Sequence, residues 1–591
     1  MESQKINISI VKEFFSTIKK SCKLIQKCSC FFVFVNLCIA CIQGIIPGIT
    51  IVVFQRIINS LQQNIDTVEH IIFLILFYVG LNIINELIST LYSFYNEKFN
   101  LEFSQYVNML MLEKSAKLEL KDYENSETYN IINRAQSQNG TSILTFITGI
   151  IEIFKQIISV ITTSIILVRF CWWMLPLIFG ISIVRSMVTV YTDREWYKLR
   201  VSRTNDERTN RYINYLLLTG IAFKEILLYG LSNYFFMKYK NISDKIKKQD
   251  KDMQKKIAIY DILFDIGSWV SMGGLFGYVM YLGVTGRLLI GDITAYIECI
   301  ENIKSGSNEI FDNIGNMLEQ SMYIGFLFEF LEIPEFKENE EFDVGEIYKI
   351  EIKDVSFKYN TTYVLKNINM TLNKGDSIAL VGENGSGKST LIKLIMGFYR
   401  EYEGTIKING IDIKKINKTG YYQKIGCVFQ DYTKFEDSIR NNIRFGNIET
   451  ENNKKSIESM LEITHMKERV DEIGGLDTIV GKWFGKEDLS IGEWQRISIA
   501  RAAFKQANLY ILDEPDASLD IFRQEELIET YKNTFKSAIR IFITHKVNYA
   551  KEMGEKIYVL EKGEILESGS HTELLNDKGK YYKMFNACQR K

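Results

Sequence analysis

Long apolar runs alternate with basic and polar stretches over about the first 330 residues of the chain. Each run can form a helix that crosses a hydrocarbon layer of ~30 Å, whereas helices of soluble proteins seldom stay apolar over such a length. The pattern therefore predicts a membrane domain of six long helices. The predicted spans cover about residues 30–54, 69–93, 143–168, 171–190, 260–283 and 287–310.

Beyond about residue 349 the apolar runs become short and are separated by turn residues and helical stretches. This pattern predicts a soluble domain in which strands and helices alternate, that is, an α/β fold. Pro334 and the charge run that follows it separate the two patterns and are typical of a linker. We therefore expect a transmembrane domain over 1–330, a linker over 331–348 and an α/β domain over 349–591.

Lysine and arginine residues are unevenly distributed between the predicted spans. The N-terminal segment and the long loops over 95–139 and 194–256 are rich in them, whereas the short connections near Arg56, Arg169 and Arg287 carry little positive charge. Because basic loops stay in the cytoplasm, both termini and both long loops are predicted to be cytoplasmic. The long loops have helical sequences and are expected to continue the membrane helices. The extended basic N-terminus also differs from a cleavable signal peptide.

A glycine-rich segment stands between an apolar strand-like run over 377–381 and an apolar helical run that begins at Leu391. Its G-x-x-x-x-G-K-S spacing in this context is typical of a phosphate-binding loop, in which backbone N–H groups and a helix N-terminus point at phosphate oxygens. Lys388 is expected to reach the β- and γ-phosphates, and Ser389 to hold Mg²⁺. The predicted contacts to ATP in this loop are Gly382, Glu383, Asn384, Gly385, Ser386, Gly387, Lys388, Ser389 and Thr390.

A second apolar run, over 509–512, ends in two acidic residues, Asp513 and Glu514. Such a run predicts a buried strand that delivers carboxylates at its carboxyl end, where open α/β sheets bind ligands. Asp513 suits Mg²⁺ ligation, directly or through water, and Glu514 suits polarisation of the attacking water. The predicted fold class is thus an α-helical transmembrane domain of six long helices followed by an α/β P-loop nucleotide-binding domain.

Four further motifs follow one another along the α/β domain. They are V-F-Q-D over 428–431, L-S-I-G-E over 489–493, A-S-L-D over 517–520 and I-T-H-K over 543–546. This ordered set resembles the ATP-binding-cassette family. The membrane half resembles the type IV exporter fold, in which six long helices precede one cassette. The resemblance therefore covers nearly the whole chain.

The resemblance implies roles for individual residues around the nucleotide. Tyr359 lies where the family stacks an aromatic ring on adenine, Gln430 is expected to contact Mg²⁺ and the attacking water, and His545 to contact the γ-phosphate. In the family, the other subunit completes each site. The residues implied for that contact are Ser490, Gly492 and Glu493 of the signature motif and Asp520 of the D-loop.

The signature motif departs from the usual L-S-G-G-Q of the resembling family. Ile491 replaces a glycine and Glu493 replaces the glutamine, which adds bulk and negative charge beside Ser490. Ser490 and the backbone amides near Gly492 can still donate to phosphate, so activity is expected. The W-Q-R sequence that follows, over 494–496, is similar to a branch of bacterial exporters that includes natural-product peptide exporters.

Two segments of the predicted cytoplasmic loops resemble the family's coupling helices, which dock onto the cassettes. They lie over 122–129 and 222–226 and are acidic or amphipathic breaks at the turning points of the loops. The alternative interpretation is that both are solvated helix turns. The resemblance also implies a dimer, because a P-loop and a signature must come from opposite subunits. The complete motif set favours a homodimer over a heterodimer with one inactive site.

Ionisable residues within predicted spans are functional candidates by default, because their insertion into the membrane is costly. Glu152, Glu298 and Glu301 are the candidates for a hydrated substrate cavity, and their charge favours a cationic substrate. The alternative for Glu301 is neutralisation by Lys304, three residues further along the same helix.

The predicted function is ATP-driven export of a peptide or amphipathic small molecule across the cytoplasmic membrane by a dimer that uses alternating access. A lipid flippase and one half of a heterodimeric multidrug exporter are the alternatives on the same architecture. The spans disfavour a soluble cassette protein that acts on ribosomes or DNA repair, and the fusion of permease and cassette disfavours an importer. The net charge of −1 gives no indication of a nucleic-acid partner, and nine scattered cysteines do not form a disulfide framework.

Overall fold

The computed structural model describes residues 2–63, 67–136, 140–335, 342–359, 361–449, 454–485, 487–515, 528–529, 531–532 and 534–589. The chain divides into two compact units. A helical unit contains Met1–Lys117 and Ser126–Pro334, and a second unit contains Leu118–Asn125 and Glu335–Lys591. The segment Leu118–Asn125 therefore belongs to the second unit although it lies between two helices of the first.

The first part of the chain is built from helices, several of them much longer than the average helix of a globular protein. In chain order they are α1 (Glu2–Cys28), α2 (Phe32–Gln63), α3 (Val68–Ala116), α4 (Leu120–Glu124), α5 (Ser126–Gln136), α6 (Gly140–Cys171), α7 (Met174–Ser202), α8 (Thr204–Leu218), α9 (Phe223–Leu228), α10 (Ser232–Val284) and α11 (Ile290–Glu332).

Five of these helices, α2, α3, α6, α7 and α10, are long and apolar enough to cross a membrane. The sixth predicted span lies in α11, whose first half is more polar because it carries Asp292, Glu298, Glu301 and Lys304. At 49 and 53 residues, α3 and α10 are roughly 70–80 Å long, more than twice the thickness of a hydrocarbon layer. Both helices therefore continue far beyond a membrane.

Apolar side chains from five helices, α2, α6, α7, α10 and α11, form an apolar core of the helical unit. Ile51 of α2, Leu167 of α6, Met272 of α10 and Ile300 of α11 are each at most 3% exposed and belong to one cluster. A polar contact adds to this packing, because the Asp292 carboxylate at the start of α11 accepts hydrogen bonds of 2.7 Å from Gln55 and Asn59 of α2. These hydrogen bonds hold the C-terminal part of α2 against the N-terminus of α11.

The second unit contains two sheets. A four-stranded antiparallel sheet has the order β2-β1-β4-β5, and a six-stranded sheet has the order β10-β9-β3-β8-β7-β6, in which only β10 pairs antiparallel. The strands are β1 (Lys349–Lys358), β2 (Tyr363–Asn373), β3 (Ser377–Val381), β4 (Glu403–Ile408), β5 (Ile411–Asp412), β6 (Ile425–Val428), β7 (Leu509–Asp513), β8 (Ile539–Thr544), β9 (Lys556–Glu561) and β10 (Glu564–Gly569).

Short helices surround the sheets of the second unit. They are α12 (Lys388–Ile395), α13 (Lys418–Gln423), α14 (Ile439–Arg444), α15 (Lys454–Ile463), α16 (Lys467–Glu472), α17 (Ile491–Phe504), α18 (Val547–Met553), α19 (His571–Asn576) and α20 (Lys580–Gln589).

The central strands of the six-stranded sheet are buried along their whole length. Every residue of β3, β7 and β8 is buried, as expected for parallel strands that are covered on both faces. Because these strands run in the same direction as β6, their carboxyl ends meet at one edge of the sheet. The predicted P-loop, Gln430, the acidic pair and His545 all follow these ends.

Candidate nucleotide-binding site

The glycine-rich loop connects β3 to α12 and depends on glycine at two crowded positions. Gly387 has a φ of 104°, and a Cβ on it would lie 2.7 Å from Leu365 Cδ2. A Cβ on Gly382 would lie 2.3 Å from the carbonyl oxygen of Leu560. Any larger residue would therefore displace the loop from β2 or β9, so that the loop keeps its curled path only with glycine at both positions.

Lys388, the first residue of α12, folds back over the loop. Its ammonium donates hydrogen bonds to the carbonyl oxygens of Gly382, at 2.8 Å, and Glu383, at 3.1 Å. Burial lowers the pKa of Lys388, although the nearby carboxylates of Glu514 and Asp513 act in the opposite direction. The side chain is thus an enclosed cation held at the point where the loop curls.

The two acids at the end of β7 each contact a residue of a neighbouring segment. The Asp513 carboxylate accepts a hydrogen bond of 3.2 Å from the Ser389 hydroxyl. Glu514 accepts one of 3.0 Å from the side-chain amide of Gln430, and its other oxygen lies 3.4 Å from Nδ1 of His545. Residues after β3, β6, β7 and β8 therefore converge on one pair of carboxylates.

The acidic pair is also distinguished by its surroundings. Asp513 is 7% exposed and Glu514 is 9% exposed. Burial raises the pKa of Asp513, while the Ser389 hydroxyl and the charge of Lys388 partly offset that effect. The backbone of Glu514 has a φ of 47°, and its N–H donates to Ile543 of β8 at 3.0 Å. This left-handed conformation turns the chain sharply after the strand. The Asp513 carboxylate therefore faces Ser389, whereas the Glu514 carboxylate faces Gln430 and His545.

A cleft opens over these residues. It is lined by Val364, Asn384, Gly385, Ser386, Gly387, Lys388, Ser389, Thr390, Gln430 and Glu514. The structure therefore places most of the predicted loop residues, together with Gln430 and Glu514, in one concave site. Its polar groups are N–H and hydroxyl donors, side-chain amides, one ammonium and the Glu514 carboxylate, and the Asp513 carboxylate lies next to them against Ser389. This is a suitable set for a magnesium-bound polyphosphate.

Tyr359 follows β1 and is half exposed, at 45%. Its hydroxyl lies 3.3 Å from the hydroxyl of Thr390 at the start of α12. Its ring packs edge-on against Phe357 and Tyr399, with centroid distances of 5.0 and 5.6 Å. An exposed aromatic ring is thus held rigidly beside the P-loop helix, in a position suited to stacking on a planar base.

The signature residues form the N-terminus of α17. Ser490 is the N-cap: its hydroxyl accepts a hydrogen bond of 3.3 Å from the Glu493 N–H, and the Glu493 carboxylate accepts one of 2.7 Å from the Ser490 N–H. Glu493 also accepts a hydrogen bond of 3.0 Å from Arg469. Ile491 is 60% exposed. The sequence did not predict the contact with Arg469, which lies in another helix.

The first predicted coupling segment, 122–129, overlaps the end of α4, which belongs to the second unit, and the start of α5, which belongs to the helical unit. Glu124 of α4 accepts hydrogen bonds from the Lys393 ammonium, at 2.9 Å, and from the Tyr399 hydroxyl. Leu120 packs against the apolar core of the unit. Burial acts to raise the pKa of Glu124, but these two donors outweigh it and hold the pKa below its usual value.

The second predicted coupling segment lies in the helical unit. It overlaps α9, whose apolar side chains Phe223, Leu227 and Leu228 are between 61% and 78% exposed. A short helix with so many exposed apolar groups is typical of a docking surface.

The acids predicted to line a substrate cavity lie on α6 and α11. Glu152 forms an ion pair with Lys155 of the same helix, and Glu298 and Glu301 are exposed on the surface of the helical unit. The Lys304 ammonium lies over the Trp269 ring, 5.0 Å from its centroid, instead of pairing with Glu301 as the alternative interpretation expected. Asp520 and the rest of its motif lie outside the described residues.

Comparison with known proteins identifies the family. The sequence profile of the ABC transporter family matches residues 365–517. The subtilin transport ATP-binding protein SpaT of Bacillus subtilis is 32% identical over 553 residues, which are 92% of this chain and 89% of SpaT. The chain belongs to the ABC transporter family. The nisin transport ATP-binding protein NisT of Lactococcus lactis subsp. lactis is 29% identical to this transporter over 585 residues, which are 97% of this chain and 96% of NisT.

Other relatives share a shorter region or only the fold. The ATP-dependent lipid A-core flippase of Syntrophus aciditrophicus (strain SB) is 40% identical over 236 residues, which are 40% of this chain and 39% of the flippase. The solved structure of a bacterial Atm1-family ABC exporter with ATP bound has a TM-score of 0.76 and 19% identity, over 94% of this chain and 98% of that chain.

These findings confirm the predicted family and fold class. The transporter has the exporter fold, in which a helical transmembrane region precedes an α/β nucleotide-binding domain. It is a multi-pass membrane protein and an ATPase coupled to transport.

Proposed function

We propose that this transporter exports a peptide across the cytoplasmic membrane, with its termini and nucleotide-binding domain in the cytoplasm. The observation that carries this proposal is the length of the similarity to the two proteins named for subtilin and nisin transport. It extends over 92% and 97% of this chain, so that it includes the membrane helices, where a substrate is recognised. The lipid A-core flippases match shorter regions, 236 residues at 40% identity for one and 416 residues, or 69% of this chain, at 28% identity for another.

In the proposed reaction the P-loop binds the ATP phosphates. Lys388 turns from the carbonyl oxygens of Gly382 and Glu383 to the β- and γ-phosphates, and the N–H groups of the loop donate to the phosphate oxygens. Tyr359 stacks on adenine. Ser389 and Asp513 are suited to hold Mg²⁺ together with Gln430, because this ion prefers one or two carboxylates, hydroxyl or amide oxygens and substrate phosphates.

Glu514 is the proposed group that polarises the attacking water. Its carboxylate is positioned between Gln430 and His545, which orient it and contact the water and the γ-phosphate respectively. When bound, Mg²⁺ offsets the charge that develops on the phosphates.

We propose further that two copies of the chain work as a dimer. Ser490, Gly492, Glu493 and Asp520 of one copy complete the ATP site of the other, and ATP binding closes the two nucleotide-binding domains. Closure and reopening are transmitted to the helical unit through α4 and α9. The presence of every hydrolytic motif in one chain supports a homodimer.

The acids on α6 and α11 favour a cationic peptide over a neutral one. Glu152, Glu298 and Glu301 lie on two helices that pack against each other in the helical unit. A charge within a membrane span costs on the order of 2.5–3.5 kcal/mol, so that its presence indicates water or a cationic partner. A transported peptide with basic side chains supplies such a partner.

Reconstitution into proteoliposomes tests the proposed function. ATPase activity is measured with cationic peptides, with neutral peptides of the same length and with lipids of different headgroups, and uptake of labelled peptide into inside-out vesicles is followed in parallel. We expect stimulation and ATP-dependent uptake with the cationic peptides. Stimulation that depends on one lipid headgroup, without peptide uptake, would favour the flippase instead.

A further inference from the structure

The glutamate of the signature motif has a fixed set of partners. Both carboxylate oxygens of Glu493 accept a hydrogen bond, one from the Ser490 N–H at 2.7 Å and the other from Nε of Arg469 at 3.0 Å. The carboxylate is therefore turned back onto its own chain. Its side chain is 16% exposed, whereas Arg469 is 36% exposed and also contacts Glu472 at 3.3 Å.

This arrangement leaves other groups at the start of α17 to face an anion. The Ser490 hydroxyl accepts a hydrogen bond from the Glu493 N–H, so its own proton is available to a further acceptor. Helix geometry also leaves the N–H groups of Ile491 and Gly492 without acceptors inside the helix. The Glu493 carboxylate, by contrast, places a full negative charge beside these donors.

Arg469 supplies the opposite charge from a helix that is fixed relative to α17. Met466 and Val470, on either side of Arg469 in sequence, are buried in the same apolar cluster as Trp494 of α17. The guanidinium is thus held beside the start of α17 by the packing of the core. Burial acts to raise the pKa of Glu493, but the hydrogen bonds from Ser490 and the charge of Arg469 outweigh it and hold the pKa below its usual value.

We propose that Arg469 is a positioning residue of the signature site: it holds Glu493 in its capping position and neutralises the charge that this glutamate brings to the motif. The inference rests on the proposed function, because it concerns the approach of the γ-phosphate of ATP bound by the second copy. Without Arg469, the glutamate repels that phosphate and weakens the closed dimer. With Arg469 present, Glu493 can replace the glutamine that the family has at this position without repelling the phosphate.

The test is a double-mutant cycle on the full-length transporter in proteoliposomes. Arg469→Gln should raise the KM for ATP and lower kcat/KM by about five- to tenfold, because it leaves a like charge facing the phosphate. Glu493→Gln removes the charge, while its amide oxygen still accepts the Ser490 N–H, and this variant is the reference for the cycle. On the Glu493→Gln background, Arg469→Gln should change kcat/KM by less than about twofold, because no charge is left to compensate.

Three further measurements separate charge from structure. The defect of Arg469→Gln should shrink as ionic strength rises, because salt screens the repulsion. Glu472→Gln, which removes the other acidic partner of Arg469, should have little effect. Arg469→Lys keeps the charge and should stay within about twofold of wild type, which also provides a test if the glutamine variant does not fold.

Wild-type kinetics in Arg469→Gln, or a double variant as slow as Arg469→Gln alone, would overturn the proposed role. A loss in Arg469→Lys as large as that expected for Arg469→Gln would do the same, because it would show that geometry and not charge is required. Failure of the proposed function is distinguishable: in that case the wild-type protein itself hydrolyses no ATP as a dimer. If wild type is an active dimer and only the cycle fails, the inference about Arg469 alone is wrong.

Discussion

At the residue scale, the role of Glu514 follows from the contrast with its neighbour Asp513. Asp513 contacts the Ser389 hydroxyl, whereas Glu514 is oriented by Gln430 and His545. We expect Glu514→Gln to retain ATP binding and to accumulate the closed dimer, while hydrolysis falls by about two orders of magnitude or more, because an amide cannot take up the proton of the attacking water. Single-turnover ATPase and nucleotide-binding assays on the purified variant measure both effects.

Lys388→Ala is the matched control for Glu514→Gln. It removes the ammonium that faces the phosphates and should weaken ATP binding itself, in contrast to Glu514→Gln. Near-wild-type turnover of Glu514→Gln would contradict the assignment of Glu514. Unchanged ATP affinity of Lys388→Ala would contradict the assignment of the P-loop.

A second prediction at this scale concerns the substrate. Glu298 is exposed on α11, and the nearby Lys304 is engaged by the Trp269 ring. Glu298→Gln should lower the transport of cationic peptides several-fold, whereas transport of neutral peptides and basal ATPase activity should change little, since the nucleotide-binding domain is untouched. Uptake of both peptide types into vesicles is the measurement. An equal loss for both would indicate that Glu298 has a structural role.

At the element scale, α4 contacts residues that pack beside the P-loop helix. Glu124 of α4 contacts Tyr399, whose ring packs against Tyr359. We expect Glu124→Gln to weaken this contact, so that stimulation of ATPase activity by transported peptide falls at least about twofold while basal hydrolysis is retained. The ratio of stimulated to basal activity is the quantity to measure.

Glu401→Gln provides the control for α4. Glu401 forms an ion pair with Lys121 of α4. The Glu401 side chain is 86% exposed, and ion pairs between exposed side chains contribute little to stability. Glu401→Gln should therefore have the same ratio of stimulated to basal ATPase activity as wild type. If Glu124→Gln also retained full stimulation, α4 would not carry the signal through Tyr399.

The elements also show what could be predicted from the sequence. The strand before the P-loop and the one that ends in Asp513 were predictable because short, fully apolar runs next to glycine or acidic residues are characteristic of buried parallel strands. The long continuations of α3 and α10 beyond the apolar spans followed from their helical patterns.

Contacts between distant segments were not predictable from any local pattern. Arg469 precedes Glu493 by 24 residues, and Tyr399 follows Glu124 by 275. Neither Arg469 nor Tyr399 belongs to a motif, and each meets its partner only because the packing of the core brings the two segments together. The alternative interpretation, in which Lys304 neutralises Glu301, shows the converse. Their spacing allowed it, but the lysine instead lies over Trp269, an aromatic ring of α10.

At the scale of the whole molecule, the nucleotide cleft and the signature motif of one chain lie apart. Within the described part of the chain, the lining of the cleft consists of the P-loop, Val364, Gln430 and Glu514, and it includes none of the signature residues. The signature helix is nevertheless fully formed, with its Ser490 cap and its Arg469 contact. We therefore propose that a second copy supplies the signature residues to this cleft, since every motif is already encoded in one chain.

A homodimer makes a kinetic prediction. The purified protein alone should hydrolyse ATP with a Hill coefficient above 1 and at most 2, because two sites close together. When wild-type chains are mixed with an excess of Glu514→Gln chains before reconstitution, activity per wild-type chain should fall, since mixed dimers contain one site that cannot turn over. Hyperbolic kinetics with unchanged activity on mixing, or a protein that is inactive until a different half-transporter is co-expressed, would contradict the homodimer. The second outcome would also assign Ile491 and Glu493 to an asymmetric pair, in which a divergent signature faces one of two unequal ATP sites.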